Sequence, residues 1–159
     1  MNNAGISPAE ASPAQDEDLA VFRRVFDSNV FGVLTVTNAF LPALRRSAHP
    51  RIVNLSSGTA SLTWAGGPMA AYRGGFASYR SSKAALNALT VFYAQSLAAD
   101  GIKVNALAPG LRRTDLNATA AATGDDPAEA AEAAVLLAML SDDGPTGAFF
   151  NWDGTPVPW

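Results

Sequence analysis

Tyr79 and Lys83 stand four residues apart in "YRSSK". That spacing places both side chains on one face of a helix, one turn apart. An ammonium beside a phenol favours the phenolate and lowers a tyrosine pKa from about 10 toward working pH. A phenol tuned this way can give a proton to a carbonyl oxygen or take one from an alcohol. An ordinary helical Tyr–Lys contact has the same spacing. However, Tyr72 and Tyr93 have no lysine four residues on, and the chain holds only two lysines. The pair gains weight from its neighbours. Asn29 interrupts an apolar stripe between Phe26 and Val33, and a buried amide there must find partners, either neighbouring backbone or a functional group. Ser56 and Ser57 close the apolar run "RIVNLSS". Strand alternation points them to opposite faces, so one of the two can face a cleft, and the residues alone leave open which.

These groups need a scaffold, and the sequence predicts one. Residues 17–46 read as a helix. Phe22, Phe26 (with Val25), Val33, Val36 and Phe40 recur at three- to four-residue spacing, Leu44 extends the stripe, and Asp16, Glu17 and Asp18 suit the helix N-terminus. Residues 51–57 read as a buried strand. Gly66, Gly67, Gly74 and Gly75 punctuate residues 58–75, which are predicted as an extended loop with apolar side chains. An Ala- and Leu-rich helix follows over 77–99, stopped by Asp100-Gly101, then a second strand over 102–110 broken by Pro-Gly. A third helix is expected over 125–142 and a third strand over 146–154, with "TPVPW" as a tail. Helices alternating with buried strands imply a parallel α/β sheet in a single domain. Such sheets bind ligands beyond the carboxyl ends of their strands, here Asn2-Asn3-Ala4-Gly5, Ser56-Ser57 and Pro109-Gly110.

Composition removes several classes of function. Net charge is −3, with 48% hydrophobic and 16% charged residues. This is a globular chain without a basic field for nucleic acid or anionic lipid. Cysteine is absent, and the lone His49 has no partner at ligand spacing, so neither thiol catalysis nor a metal site is expected. Residues 1–20 lack the apolar core of a signal segment, and the stretch 30–41 is too short and polar to span a bilayer. A soluble cytoplasmic protein, not a membrane one, is the expectation.

Five segments in order, "NNAG" (2–5), the Asn29 of "FDSNVFG", "IVNLSS", "YRSSK" and "KVNALAPGLRRTD" (103–115), resemble the short-chain dehydrogenase/reductase family. The closing "GPTGAFFNWDGTPVPW" and the long Ser–Tyr spacing resemble its carbonyl-reductase-like branch. The resemblance implies an oxidoreductase that moves hydride between NADP or NAD, with NADP favoured, and a small carbonyl or alcohol. Tyr79 would be the general acid/base, and Lys83 would lower its pKa and bond the nicotinamide ribose. Ser57, the member of the pair matching the family's serine, would hold the substrate oxygen. Asn29 would anchor a water that links Lys83 to solvent. Asn2, Ala4 and Gly5 would line the cofactor cleft, with Pro109, Gly110 and Thr114 around the nicotinamide end. The helices bearing Asn29 and Tyr79 are a route to a homo-oligomer.

Two departures qualify the match. Ser57 and Tyr79 are 22 residues apart, and the longer segment carries Trp64, Met69 and Tyr72, expected as a substrate wall for bulky apolar carbonyls. Second, the family opens with a strand and "TGxxxGxG", whose glycines admit pyrophosphate at a helix N-terminus, yet the only glycine before residue 32 is Gly5. The expected architecture is therefore the C-terminal part of a Rossmann-like doubly wound sheet, its first strands and Gly-rich loop missing. The Ala- and Arg-rich, Lys-poor composition suggests GC-rich coding DNA, in which a GTG valine codon taken as a start would become Met1. A truncated, non-catalytic remnant or interaction module is the competing reading. An epimerase or dehydratase on the same Tyr–Lys chemistry is a third, weakened by the Pro-Gly motif and tail.

Overall fold

The computed structural model describes all 159 residues. Three parallel strands, β1 (Arg51–Leu55), β2 (Lys103–Ala108) and β3 (Phe149–Asn151), form one sheet in that order. Arg51 lies opposite Lys103 and Leu55 opposite Leu107, and Ala106 lies opposite Phe149. Asn2 contributes one residue of a fourth parallel strand on the free side of β1. Its N–H donates to the Val53 carbonyl at 2.8 Å, and its own carbonyl accepts from the Leu55 N–H at 3.0 Å.

The helices are α1 (Leu19–Phe26), α2 (Gly32–Leu44), α3 (Leu62–Ala65), α4 (Ala77–Ser96), α5 (Ala118–Thr123) and α6 (Pro127–Ala138). Strand alternation sends Ile52 and Val104 to one face of the sheet, against Ala94 and Leu97 of the α4 end, with Leu41 and Leu44 of α2 beside them. Val53 and Leu107 face the other way, onto Ala133, Ala134 and Leu137 of α6. The small alanines let α6 lie close to the strands. No helix is long and apolar enough to cross a membrane.

Four local expectations need correction. The predicted helix over 17–46 is two helices joined by a π-helical turn, Asp27–Phe31. Its buried positions are Val25, Asn29, Val30, Val33 and Thr37, whereas Val36 and Phe40 of the predicted stripe are exposed. Residues 58–75 are no extended loop. Ser57 and Ser61 cap successive short helical turns, and a third covers Ala70–Tyr72. Helix α5 was not foreseen, since an Ala/Thr run gives no apolar period. The C-terminal tail folds back on the sheet: Val157 is buried, Trp159 stacks on Phe149 at 5.3 Å, and the Thr63 hydroxyl donates to the Trp159 carbonyl at 2.9 Å.

Helix α6 starts where its sequence says it should. The Asp126 side chain accepts from the Ala128 N–H at 2.9 Å, and Pro127 sits where no donor is needed. Asp126→Ala is expected to lower the unfolding free energy by about 1 kcal/mol in urea denaturation, and an unmoved midpoint would show the cap to be idle.

Candidate active site

Tyr79 and Lys83 occupy the first turns of α4, facing the carboxyl end of β1. Lys83 is buried, and its Nζ donates to the Leu55 carbonyl at 2.7 Å. Its ammonium stands over the Tyr79 ring, 5.8 Å from the centroid. Burial lowers the Lys83 pKa from 10.5 to about 8. Gly5 makes this packing possible, because a Cβ there would come 3.2 Å from Lys83 Nζ and 3.4 Å from Asn29 Oδ1.

The electrostatics of the pair differ from the spacing argument. Burial pushes the Tyr79 phenol above its ordinary value; the nearby Ser57 hydroxyl opposes this, and Tyr72 reinforces it. The Lys83 ammonium gives one of its three protons to the Leu55 carbonyl and lies over the ring face, while desolvation favours the neutral form of both groups. At neutral pH Tyr79 is thus a phenol, the protonation state of an acid.

Asn29 has no exposed surface. Its Nδ2 donates to the Ile6 carbonyl at 2.9 Å and to Ser82 Oγ at 3.0 Å, and its Oδ1 accepts from the Ile6 N–H at 2.8 Å. Both amide hydrogens are committed, so one lone pair of Oδ1 remains for any further partner. The two serines lie just past β1 and meet different residues of α4. Ser56 is buried and donates to Asn87 Oδ1 at 2.6 Å. Ser57 is half-buried on the Tyr79 side, its hydroxyl 2.8 Å from Thr59 Oγ1 and more loosely disposed toward the phenol.

The remaining predicted residues are dispersed. The Asn2 side chain turns away from the strand ends and donates to Thr37 Oγ1 at 3.1 Å and Asn54 Oδ1 at 2.8 Å. Ala4 is exposed. Pro109 and Gly110 follow β2, and Gly110 has a φ of 75°, which demands glycine. Thr114 is exposed, with its hydroxyl 3.4 Å from the Arg112 carbonyl. Trp64 packs against the Ala106–Phe149–Val157 cluster, and it and the methyl of Met69 lie against Gly58. Tyr72 is exposed, with the Arg80 guanidinium 5.4 Å from its ring centroid.

Sequence reasoning missed Arg112. Its buried guanidinium donates to the Pro109 carbonyl at 2.6 Å, the Asp126 carbonyl at 3.1 Å and Glu129 Oε2 at 2.6 Å. It also lies 4.5 Å from the centre of the Trp152 ring. Arg112 thereby ties the Pro-Gly turn to α6 and to the exit of β3. Two adjacent arginines in a loop gave no signal as to which was buried.

A parallel three-stranded sheet with helices packed on both faces is part of a Rossmann-like fold. Residues 1–125 match the short chain dehydrogenase family, and the chain belongs to that family. It is 35% identical over 163 residues to the C-signal of Myxococcus xanthus, covering all of this chain and 90% of that protein. It is also 35% identical over 171 residues to the short-chain dehydrogenase anuI of Penicillium roqueforti, covering 96% of this chain and 65% of that one. Among solved structures, the NADPH-bound carbonyl reductase from chicken fatty liver superposes with a TM-score of 0.84 at 32% identity. That match covers 99% of this chain and 64% of the chicken one. The chain thus spans about two thirds of the length of several relatives, and its likeness to a carbonyl reductase extends along nearly all of it.

Proposed function

We propose that this chain carries the catalytic half of an NAD(P)(H)-dependent oxidoreductase that reduces a small carbonyl substrate, with Tyr79 as general acid. The observation that carries the proposal is the convergence of Ser57, Tyr79 and Lys83 beside Gly5 and Asn29 at the end of β1. Ser57 holds the substrate oxygen, and the Tyr79 phenol gives that oxygen its proton. At neutral pH the phenol is protonated, the state that donation to a carbonyl oxygen requires. Lys83 holds positive charge near the developing phenolate, and Asn29 fixes the Ile6 turn that covers Lys83.

The cofactor, when bound, supplies the hydride. The nicotinamide end would sit at these strand ends, where Gly5 carries no Cβ to crowd Lys83 Nζ, 3.2 Å from where one would stand. Lys83, Pro109, Gly110, Thr114, Ala4 and the Asn2 backbone would hold that end. The pyrophosphate end finds no Gly-rich turn in these 159 residues. NADP is the expected cofactor by likeness to the carbonyl reductases, and Met69 and exposed Tyr72 are the proposed contacts for a bulky apolar carbonyl, with Trp64 packed on the core cluster behind them. Exposed Val36 and Phe40 on α2 and Phe92 on α4 support self-association through those helices.

A non-catalytic role is the second reading, favoured by the lack of a Gly-rich phosphate-binding turn in these 159 residues. Titration of the purified chain with NADPH is expected to give binding weaker than about 1 mM, equivalent to about −4 kcal/mol. Micromolar binding would show that the 159 residues suffice for cofactor recognition. A panel of aromatic and aliphatic carbonyls, assayed with NADPH and NADH in a form extended upstream by a phosphate-binding segment, separates the two readings. Turnover supports the reductase, and its complete absence with bound cofactor supports the non-catalytic protein.

A further inference from the structure

Residues 6–17 run from Asn29 to the start of α4 as a strap pinned at both ends. At one end Asn29 takes both the N–H and the carbonyl of Ile6. At the other, the Glu17 carboxylate accepts from the Ser78 N–H at 3.1 Å and, more closely, from the Ser78 hydroxyl. Between the pins, Gly75 lies where a Cβ would be 3.4 Å from that of Ala11, so the strap rests on the entry to α4.

Helix α4 needs such a partner. Its first N–H groups have no intrahelical acceptor. The preceding residue, Phe76, is left-handed with a φ of 57° and offers no side-chain cap. A carboxylate from 61 residues upstream fills that role, and its charge suits the positive end of a 20-residue helix. The rest of α4 has its own anchors. Lys83 bonds the Leu55 carbonyl, Thr90 accepts from Asn54 at 2.9 Å, and Ala94 and Leu97 sit in the core. The first turn, which contains Tyr79, is held by Glu17 through Ser78, with Arg80 reaching the Thr59 carbonyl at 3.3 Å beside it.

We propose that Glu17 is a positioning residue for Tyr79, clamping Ser78 next to it so that the phenol is held at the end of β1 beside Ser57. This rests on the reading of Tyr79 as the proton donor, but its test needs neither cofactor nor turnover. The chain has three tyrosines, Tyr72, Tyr79 and Tyr93, so ¹³Cζ-tyrosine NMR of the full chain resolves each titration after assignment by single Phe substitutions. Tyr93, on the same helix near its far end, is the internal control. In Glu17→Ala the first turn is expected to loosen and hydrate the ring. The Tyr79 midpoint then falls by at least about half a unit toward the ordinary value of about 10, with Tyr93 unmoved. Glu17→Gln, which keeps an acceptor for the Ser78 N–H, is expected to restore at least half of that shift.

An unmoved Tyr79 midpoint in Glu17→Ala overturns the proposal. So does a common shift of Tyr79 and Tyr93, which reports general loosening, or a Gln variant as displaced as the Ala variant. If Glu17→Ala does not fold, Ser78→Ala removes the hydroxyl bond while keeping the N–H bond. It is expected to give a smaller Tyr79 shift of the same sign, and no shift there also overturns the proposal. Failure of this clamp leaves the effect of Tyr79→Phe on turnover untouched, so the two ideas fall separately.

Discussion

Tyr79→Phe is expected to cut carbonyl reduction by about 10²–10⁴-fold, the usual contribution of a positioned general acid, while cofactor affinity changes less than about twofold. The comparison requires a form extended upstream with a phosphate-binding segment, and steady-state kinetics against NADPH gives both quantities. The asymmetry follows from position. The phenol faces Ser57, which in the proposed mechanism holds the substrate oxygen, and removing one hydroxyl leaves the ring, the Lys83 ammonium above it and the Gly5 contact in place. A variant that keeps more than about a tenth of its turnover would remove Tyr79 from the chemistry. One that loses cofactor affinity in step would make it a binding residue.

Lys83 should make the stability of the chain rise with pH. Its pKa is about 8 in the folded protein against 10.5 for an ordinary lysine, and burial is the cause. Below pH 8 both states are protonated, and the native state carries the full cost of a buried ammonium. Between 8 and 10.5 the native lysine releases its proton before the unfolded one, so the unfolded state binds more protons and stability increases. From about pH 7.5 to about pH 9.5 the expected gain is about 2 kcal/mol. Tyr79 acts the other way above about pH 10, because its raised folded pKa makes the unfolded phenol ionise first. Urea unfolding across this range should therefore show a maximum. Lys83→Met should flatten its rising limb, and a wild-type profile with no rise would mean the ammonium is better solvated than its burial implies.

Much of this was legible in the sequence because it follows from period and punctuation. Alternation along "RIVNLSS" predicts opposite faces for Ser56 and Ser57, but both lie past the end of β1 and both turn to α4, one to Asn87 and one toward Tyr79. Alternating helices and buried strands gave the parallel sheet, and Pro127 with its preceding aspartate gave the start of α6. What stayed hidden depends on distant partners. Nothing local in "SPAEASPAQDED" marks Glu17 as the cap of a helix beginning 60 residues later. Likewise, spacing alone places Lys83 near Tyr79 but is silent on the Leu55 carbonyl, which takes one ammonium proton, and on the burial that raises the phenol. The segment 58–75 was misread for a similar reason, since Ser57 and Ser61 cap its turns while its glycines suggested loop.

The π-helical turn at Asp27–Phe31 has a consequence for phase. Each residue of a regular helix rotates its successors by about 100°, so a single extra residue re-aims everything downstream. Upstream of the turn the helix serves the strap and α4. Downstream it serves the sheet, where Thr37 receives the Asn2 amide. Deleting Ser28 would leave Asn29 and Thr37 in step with each other but rotate α1, which packs on α4, by about 100° relative to both. The turn is therefore a gear between two differently oriented clients of one helix.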